Sequence, residues 1–210
     1  MRQTLRHAIN HGIAKPVVFA LCLLPLAALA LAGPDGWGAN PPEYFNRFLG
    51  DWGLRMILVT LAITPLAKIT RVAAFMRFRR MVGLFAFFYA FLHLASYVVF
   101  DQFFDLAAIW DDVIKRTYIT VGMAAFIGLL PLVLTSTKKA MRRMGGKAWQ
   151  KLHKLIYAIA IGAVVHNIMM VKANYDEAII HALILAVLLG WRVSQRRPAK
   201  TPQASSAAGI

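Results

Sequence analysis

The chain has 210 residues, and its six histidines are the side chains with the most chemistry to offer. Three of them stand where a polar group is hardest to keep. His93 lies in Phe-Tyr-Ala-Phe-Leu-His-Leu-Ala-Ser-Tyr, His153 in Trp-Gln-Lys-Leu-His-Lys-Leu-Ile-Tyr, and His166 in Ala-Val-Val-His-Asn, each within an expected membrane span. An ionisable residue in lipid is expensive, so each reads as functional by default. Neutral imidazole is cheap to bury once its lone pair is used, and iron uses it well.

Helical rise sets their depth. At 1.5 Å per residue, His93 lies roughly 12 Å inside Asp101 and His166 roughly 9 Å inside Lys172, both counted from one side of the membrane. The two imidazoles therefore share a level in the outer half and can face each other across a haem. His153 lies about 20 Å further in. A haem at the outer level and a second group at the inner level would make a wire across the bilayer. A proton relay in a transporter, or hydrogen-bonded packing, uses the same residues.

Two features complicate the wire. Successive residues turn by 100°, which leaves His153 and His166 about 140° apart on a straight helix. They need not then share a partner helix, unless the helix bends near Gly162. The position fourteen residues before His93, on the same face, holds Arg79 rather than a second histidine. Arginine is no ordinary haem ligand, but its fork suits a propionate or a flavin phosphate. Arg55, with Asp51 four residues before it, forms either an i,i+4 pair or a propionate clamp beside the outer level. The aromatics around His93 suit a flat macrocycle or plain packing equally. His7 and His11 fit an interfacial segment, and His181 fits a packing role near the outer surface.

The elements that must position these residues are membrane spans. Apolar residues make up 59% of the chain, and they come in nearly uncharged runs rather than stripes. Spans are expected at 16–33, 50–67, 81–100, 115–134, 150–171 and 177–193, and lipid requires them to be helices. The fold class is an all-α integral membrane protein, a six-helix transmembrane bundle. A basic N-terminal segment (1–15) precedes the spanning domain (16–193), and a small polar tail (194–210) is expected to be disordered.

The net charge of +15 reflects topology rather than nucleic acid. Lysines and arginines fill the termini and two loops, around 68–80 and 138–151, while all nine acids lie in the other loops. That is the positive-inside pattern, with both termini cytoplasmic and membrane lipid as the partner of the basic loops. Residues 2–33 also resemble a signal peptide, but the apolar run suits a retained span better. A single cysteine, Cys22, excludes an internal disulfide, a cysteine-held iron–sulfur cluster and covalent c-type haem. No internal repeat is visible.

Two motifs carry a resemblance. Arg79-Arg80-Met-Val-Gly-Leu-Phe-Ala-Phe-Phe-Tyr-Ala-Phe-Leu-His93-Leu-Ala-Ser-Tyr97, and Trp149-Gln-Lys-Leu-His153-Lys-Leu-Ile-Tyr157 followed by His166, resemble the MsrQ (YedZ) family. Thr64-Pro65-Leu66 before a basic loop fits as well. These are haem-binding membrane subunits of the periplasmic methionine sulfoxide reductase system, within the ferric-reductase-like superfamily. The resemblance implies one or two b haems and FMN. It implies electrons drawn from the quinone pool or a cytosolic flavin reductase and delivered to a periplasmic molybdopterin-dependent catalytic subunit. By position, His93 and His166 are similar to the outer haem pair and His153 to the inner ligand. The superfamily has two histidines on each of two helices, so the missing one on the third span leaves a second bis-histidine haem incomplete. Arg77, Arg79 and Arg80 are the candidates for the flavin phosphate. Proton-coupled transport through the buried histidines is the alternative function, and a haemless assembly factor a third.

Overall fold

The computed structural model describes residues 2–195, so most of the expected polar tail lies outside the described residues. Six helices are long and apolar enough to cross a membrane: α1 (Ala14–Leu31), α2 (Pro41–Thr70), α3 (Arg79–Asp101), α4 (Thr117–Leu134), α5 (Gly146–Met170) and α6 (Asp176–Ser194). There is no strand among the described residues. The six-span, all-helical expectation is met, and the chain is a multi-pass membrane protein.

The largest displaced boundary is the start of α2, nine residues before the expected 50. Asn40 caps the helix, its side-chain oxygen accepting from the Glu43 amide, and Pro41 and Pro42 fill the first positions, where a missing N–H costs nothing. The segment Glu43–Asp51 is helical but charged, so a reading keyed to apolar runs omits it. Arg71 ends the helix in the left-handed conformation, at φ 57°.

Helix α2 packs along α3, α4 packs along α5, and α6 closes the bundle against α2 and α5. Helix α1 lies on α3, where the fully buried Tyr89 donates its hydroxyl to the Cys22 carbonyl at 2.7 Å. Lipid-facing positions remain apolar, as on α6 with Ile180, Leu183 and Val187 exposed. No water competes there, so exposure carries no hydrophobic penalty.

Pro65 illustrates how lipid enforces pairing. It lacks the N–H that would bond the Leu61 carbonyl one turn earlier. Arg192 of α6 supplies the missing donor at 2.9 Å and lies 5.1 Å above the Tyr157 ring.

Helix α5 is broken, though not at Gly162. Bonds from Lys154 to Lys151, Leu155 to Leu152 and Tyr157 to Lys154 span three residues instead of four. This tightening directly follows His153 and separates Gly146–His153 from Ile156–Met170. At Gly162 the helix is regular.

Between α3 and α4 a short helix, Leu106–Lys115, is capped by the Asp105 carboxylate accepting from the amides of Ala107 and Ala108. The end of α3, Tyr97–Asp101, widens into a π turn, a distortion often found beside functional sites.

Candidate cofactor site

His93 comes from the C-terminal half of α3 and His166 from the C-terminal half of α5, and the fold sets their rings 6.1 Å apart between centroids at an interplanar angle of 69°. Each ring is fixed by a backbone carbonyl of the paired helix. His93 Nδ1 lies 2.8 Å from the Asn46 carbonyl of α2. His166 Nδ1 lies 2.7 Å from the Tyr118 carbonyl of α4. A carbonyl can only accept, so Nδ1 carries the proton in both rings. Each Nε2 is then left with its lone pair, the form in which imidazole binds a metal.

The space around them is a cavity of about 970 Å³ between α2, α3, α4 and α5, at the upper end of small-molecule sites. Its deep walls are apolar, with Leu54, Ile57, Phe126 and Leu129. Its mouth is charged, with Arg47, Arg116 and Lys172 beside Glu43 and Asp101. Arg116 is tied to Asp112 at 3.0 Å. The largely buried Asp112 carboxylate also accepts from Tyr97 and Gln102, both at 2.8 Å.

Haem b fits this donor set. Two imidazoles lining a largely apolar cavity would suit a haem, whose macrocycle completes the iron coordination itself; no group of three or more His, Cys, Asp or Glu side chains that could hold a metal ion is found among the described residues.

Two glycines make the approach possible. A Cβ at Gly50 would stand 3.0 Å from His93 Nδ1, and one at Gly122 would stand 2.8 Å from His166 Nδ1. Neither glycine, nor the carbonyls of Asn46 and Tyr118, nor the Asp112 cluster, stood out in the sequence. The signal was there as a repeat. In both halves a glycine follows the accepting carbonyl by four residues on one helix, and the histidine lies on the next span. The same arrangement, a glycine one turn after a carbonyl that holds an imidazole, thus occurs twice.

The remaining candidates lie elsewhere. His153 is absent from the cavity wall; its Nε2 is 3.1 Å from Thr135 Oγ1, and its ring stacks 3.9 Å from Trp149. Trp149 in turn donates to the Thr135 carbonyl. Arg55 pairs with Glu177 of α6 at 3.3 Å rather than with Asp51, which accepts from Asn167 of α5 at 3.2 Å. It lines a smaller outer opening of about 450 Å³ and not the main cavity. Arg77 donates to the Ile9 carbonyl at 2.6 Å, Arg80 reaches the Ser136 carbonyl at 3.4 Å, and Arg79 is half-buried at the start of α3.

The transmembrane family described as "Ferric reductase like transmembrane component" matches residues 49–164, a segment that carries most of α2 to α5 with His93 and His153 and stops just short of His166. Among relatives, the chain is 51% identical to the protein-methionine-sulfoxide reductase heme-binding subunit MsrQ of Polaromonas naphthalenivorans, over 87% of this chain and 85% of that one. The chain belongs to the MsrQ family. Its MsrQ relative in Rhodospirillum rubrum is 50% identical over 90% of this chain and 94% of its own. MsrQ of Caulobacter vibrioides is 47% identical, over 86% and 87% respectively.

Proposed function

We propose that this MsrQ-family chain is a one-haem transmembrane electron carrier that hands electrons to a periplasmic, molybdopterin-dependent methionine sulfoxide reductase catalytic subunit repairing oxidised periplasmic proteins. The observation that carries the reading is the pair of imidazoles on α3 and α5, each with Nδ1 tied to a carbonyl, which leaves Nε2 as the nitrogen available to a metal. Haem b bound between them supplies one-electron Fe(III)/Fe(II) exchange inside the bilayer. His93 and His166 would hold it, the apolar walls would exclude water, and Arg47, Arg116 and Lys172 at the mouth would offer positive charge to its carboxylates.

Both termini lie in the cytoplasm and the cavity mouth faces the periplasm of a bacterial inner membrane, a reading supported by the segregation of basic and acidic loops. Electrons enter from the quinone pool or from a cytosolic flavin reductase. The FMN phosphate is assigned to the inner basic loop. There Arg77 and Arg80 serve the carbonyls of Ile9 and Ser136, while Arg79 makes no salt bridge among the described residues.

The test is a reduced-minus-oxidised visible spectrum of the purified full chain, with haem counted per chain. The wild type is expected to carry one b-type haem, lost in both His93→Ala and His166→Ala and retained in His153→Ala. A colourless wild type after expression with ample haem would sink the reading in favour of a transporter or an assembly factor.

A further inference from the structure

We infer that Gly50 and Gly122 are positioning residues for the two axial imidazoles, and that each helix turn Asn46–Gly50 and Tyr118–Gly122 is a built socket for one histidine ring. This rests on the electron-carrier reading above and deepens it.

In an α-helix the carbonyl of residue i accepts from the N–H of residue i+4, and its second lone pair stays open to a lateral donor. Side chains lean toward the helix N-terminus, so the side chain of residue i+4 covers the turn holding carbonyl i. Any residue but glycine at i+4 therefore shields the carbonyl an incoming imidazole must reach. The glycines stand at that position in both α2 and α4.

Close helix packing alone is a competing explanation, and the atoms involved argue against it. At Gly53 an added Cβ would meet the backbone of Ala90 and Tyr89, as expected where two helices cross tightly. At Gly50 the three nearest atoms all belong to the His93 ring, and at Gly122 all three belong to the His166 ring. The space left by each glycine is occupied by a ligand, not by a neighbouring backbone.

The socket has an electronic consequence. An Nδ1–H bond to a carbonyl fixes the tautomer and raises the basicity of Nε2. A stronger donor favours the ferric state. Displacing the ring from its carbonyl moves the midpoint potential to more positive values and weakens haem retention. The closer contact, 2.8 Å at Gly122 against 3.0 Å at Gly50, makes the α4 socket the less tolerant one.

The experiment compares full-length wild type with Gly50→Ala, Gly122→Ala and the control Gly162→Ala. The control adds the same methyl where its nearest neighbour, Ala125 Cβ, is at an ordinary 3.7 Å. The readouts are haem transfer to apomyoglobin, the low-spin electron paramagnetic resonance signal and the midpoint potential. Gly122→Ala is expected to lose about 10-fold or more in haem affinity, with altered g values and a positive potential shift. Gly50→Ala follows in the same direction by less, and Gly162→Ala matches wild type. Because Gly122→Ala could fold poorly, a second measurement uses no haem. Melting of Gly122→Ala, His166→Ala and the double variant should be non-additive, since removing the ring relieves the clash; Gly50 and His93 form the matching cycle. Additive melting, or glycine variants with wild-type affinity, spectrum and potential, overturns the inference. A wild type that takes up no haem defeats the electron-carrier reading instead, and the melting cycles then still decide whether the glycines hold the rings.

Discussion

At the outer level of the bundle, His166 of α5 meets His93 of α3 across a large cavity, with a carbonyl behind each ring. At the inner level, His153 of the same helix stacks on Trp149 and bonds Thr135 through Nε2. Both regions offer an imidazole on α5 in an apolar setting, yet only the outer one has a partner on α3. The inner counterpart on α3 falls at Arg79 and Arg80. The difference teaches that a buried histidine keeps Nε2 available to a ligand when a backbone carbonyl satisfies Nδ1, whereas at His153 a hydroxyl already occupies Nε2.

The contrast can be broken most forcefully at the ligands. His166→Ala and His93→Ala are each expected to abolish the b-type absorbance; a variant that keeps the wild-type spectrum and haem content breaks the comparison. Next comes the carboxylate behind the cavity mouth. Asp112→Ala strands the Tyr97 hydroxyl and the Gln102 amide and frees Arg116, with an expected loss of about 2–3 kcal/mol, read as a lowered melting temperature.

Arg192→Ala tests the inner half. It leaves the Leu61 carbonyl unpaired in lipid, at about 1–2 kcal/mol. Restoring the missing N–H with Pro65→Ala in the same background should recover most of that loss, and no recovery would show that Arg192 acts through something other than this carbonyl. His153→Ala should cost about 0.6–1.7 kcal/mol, the range for hydrogen bonds between membrane helices, with one haem per chain retained; a halved haem content would reveal a second haem at the inner level. The smallest effect belongs to Arg55→Ala. Its carboxylate partner Glu177 is largely exposed, so a change under about 1 kcal/mol in melting and unchanged haem content are expected.

Much of this protein was legible without its fold. Hydropathy is a local property and lipid is a uniform solvent, so each apolar run had to be a helix whatever its neighbours. Charge segregation and the fixed rise per residue then gave the levels of the three histidines. Helix ends escaped this reading where they carry charge, as in Glu43–Asp51, because helicity there comes from capping rather than from apolarity.

Tertiary structure decided everything that depends on direction around a helix. Residue spacing alone could not say whether α5 bends at Gly162 or tightens at Lys154–Leu155, nor that Asn167 takes Asp51 and leaves Arg55 to Glu177. It could not show which nitrogen of each imidazole is held, because the acceptors, the carbonyls of Asn46 and Tyr118, are identical in every residue type. Backbone groups carry no signature in an amino-acid sequence. Only the packing of α2 on α3 and of α4 on α5 selects two of them, and only glycine four residues later lets a ring approach.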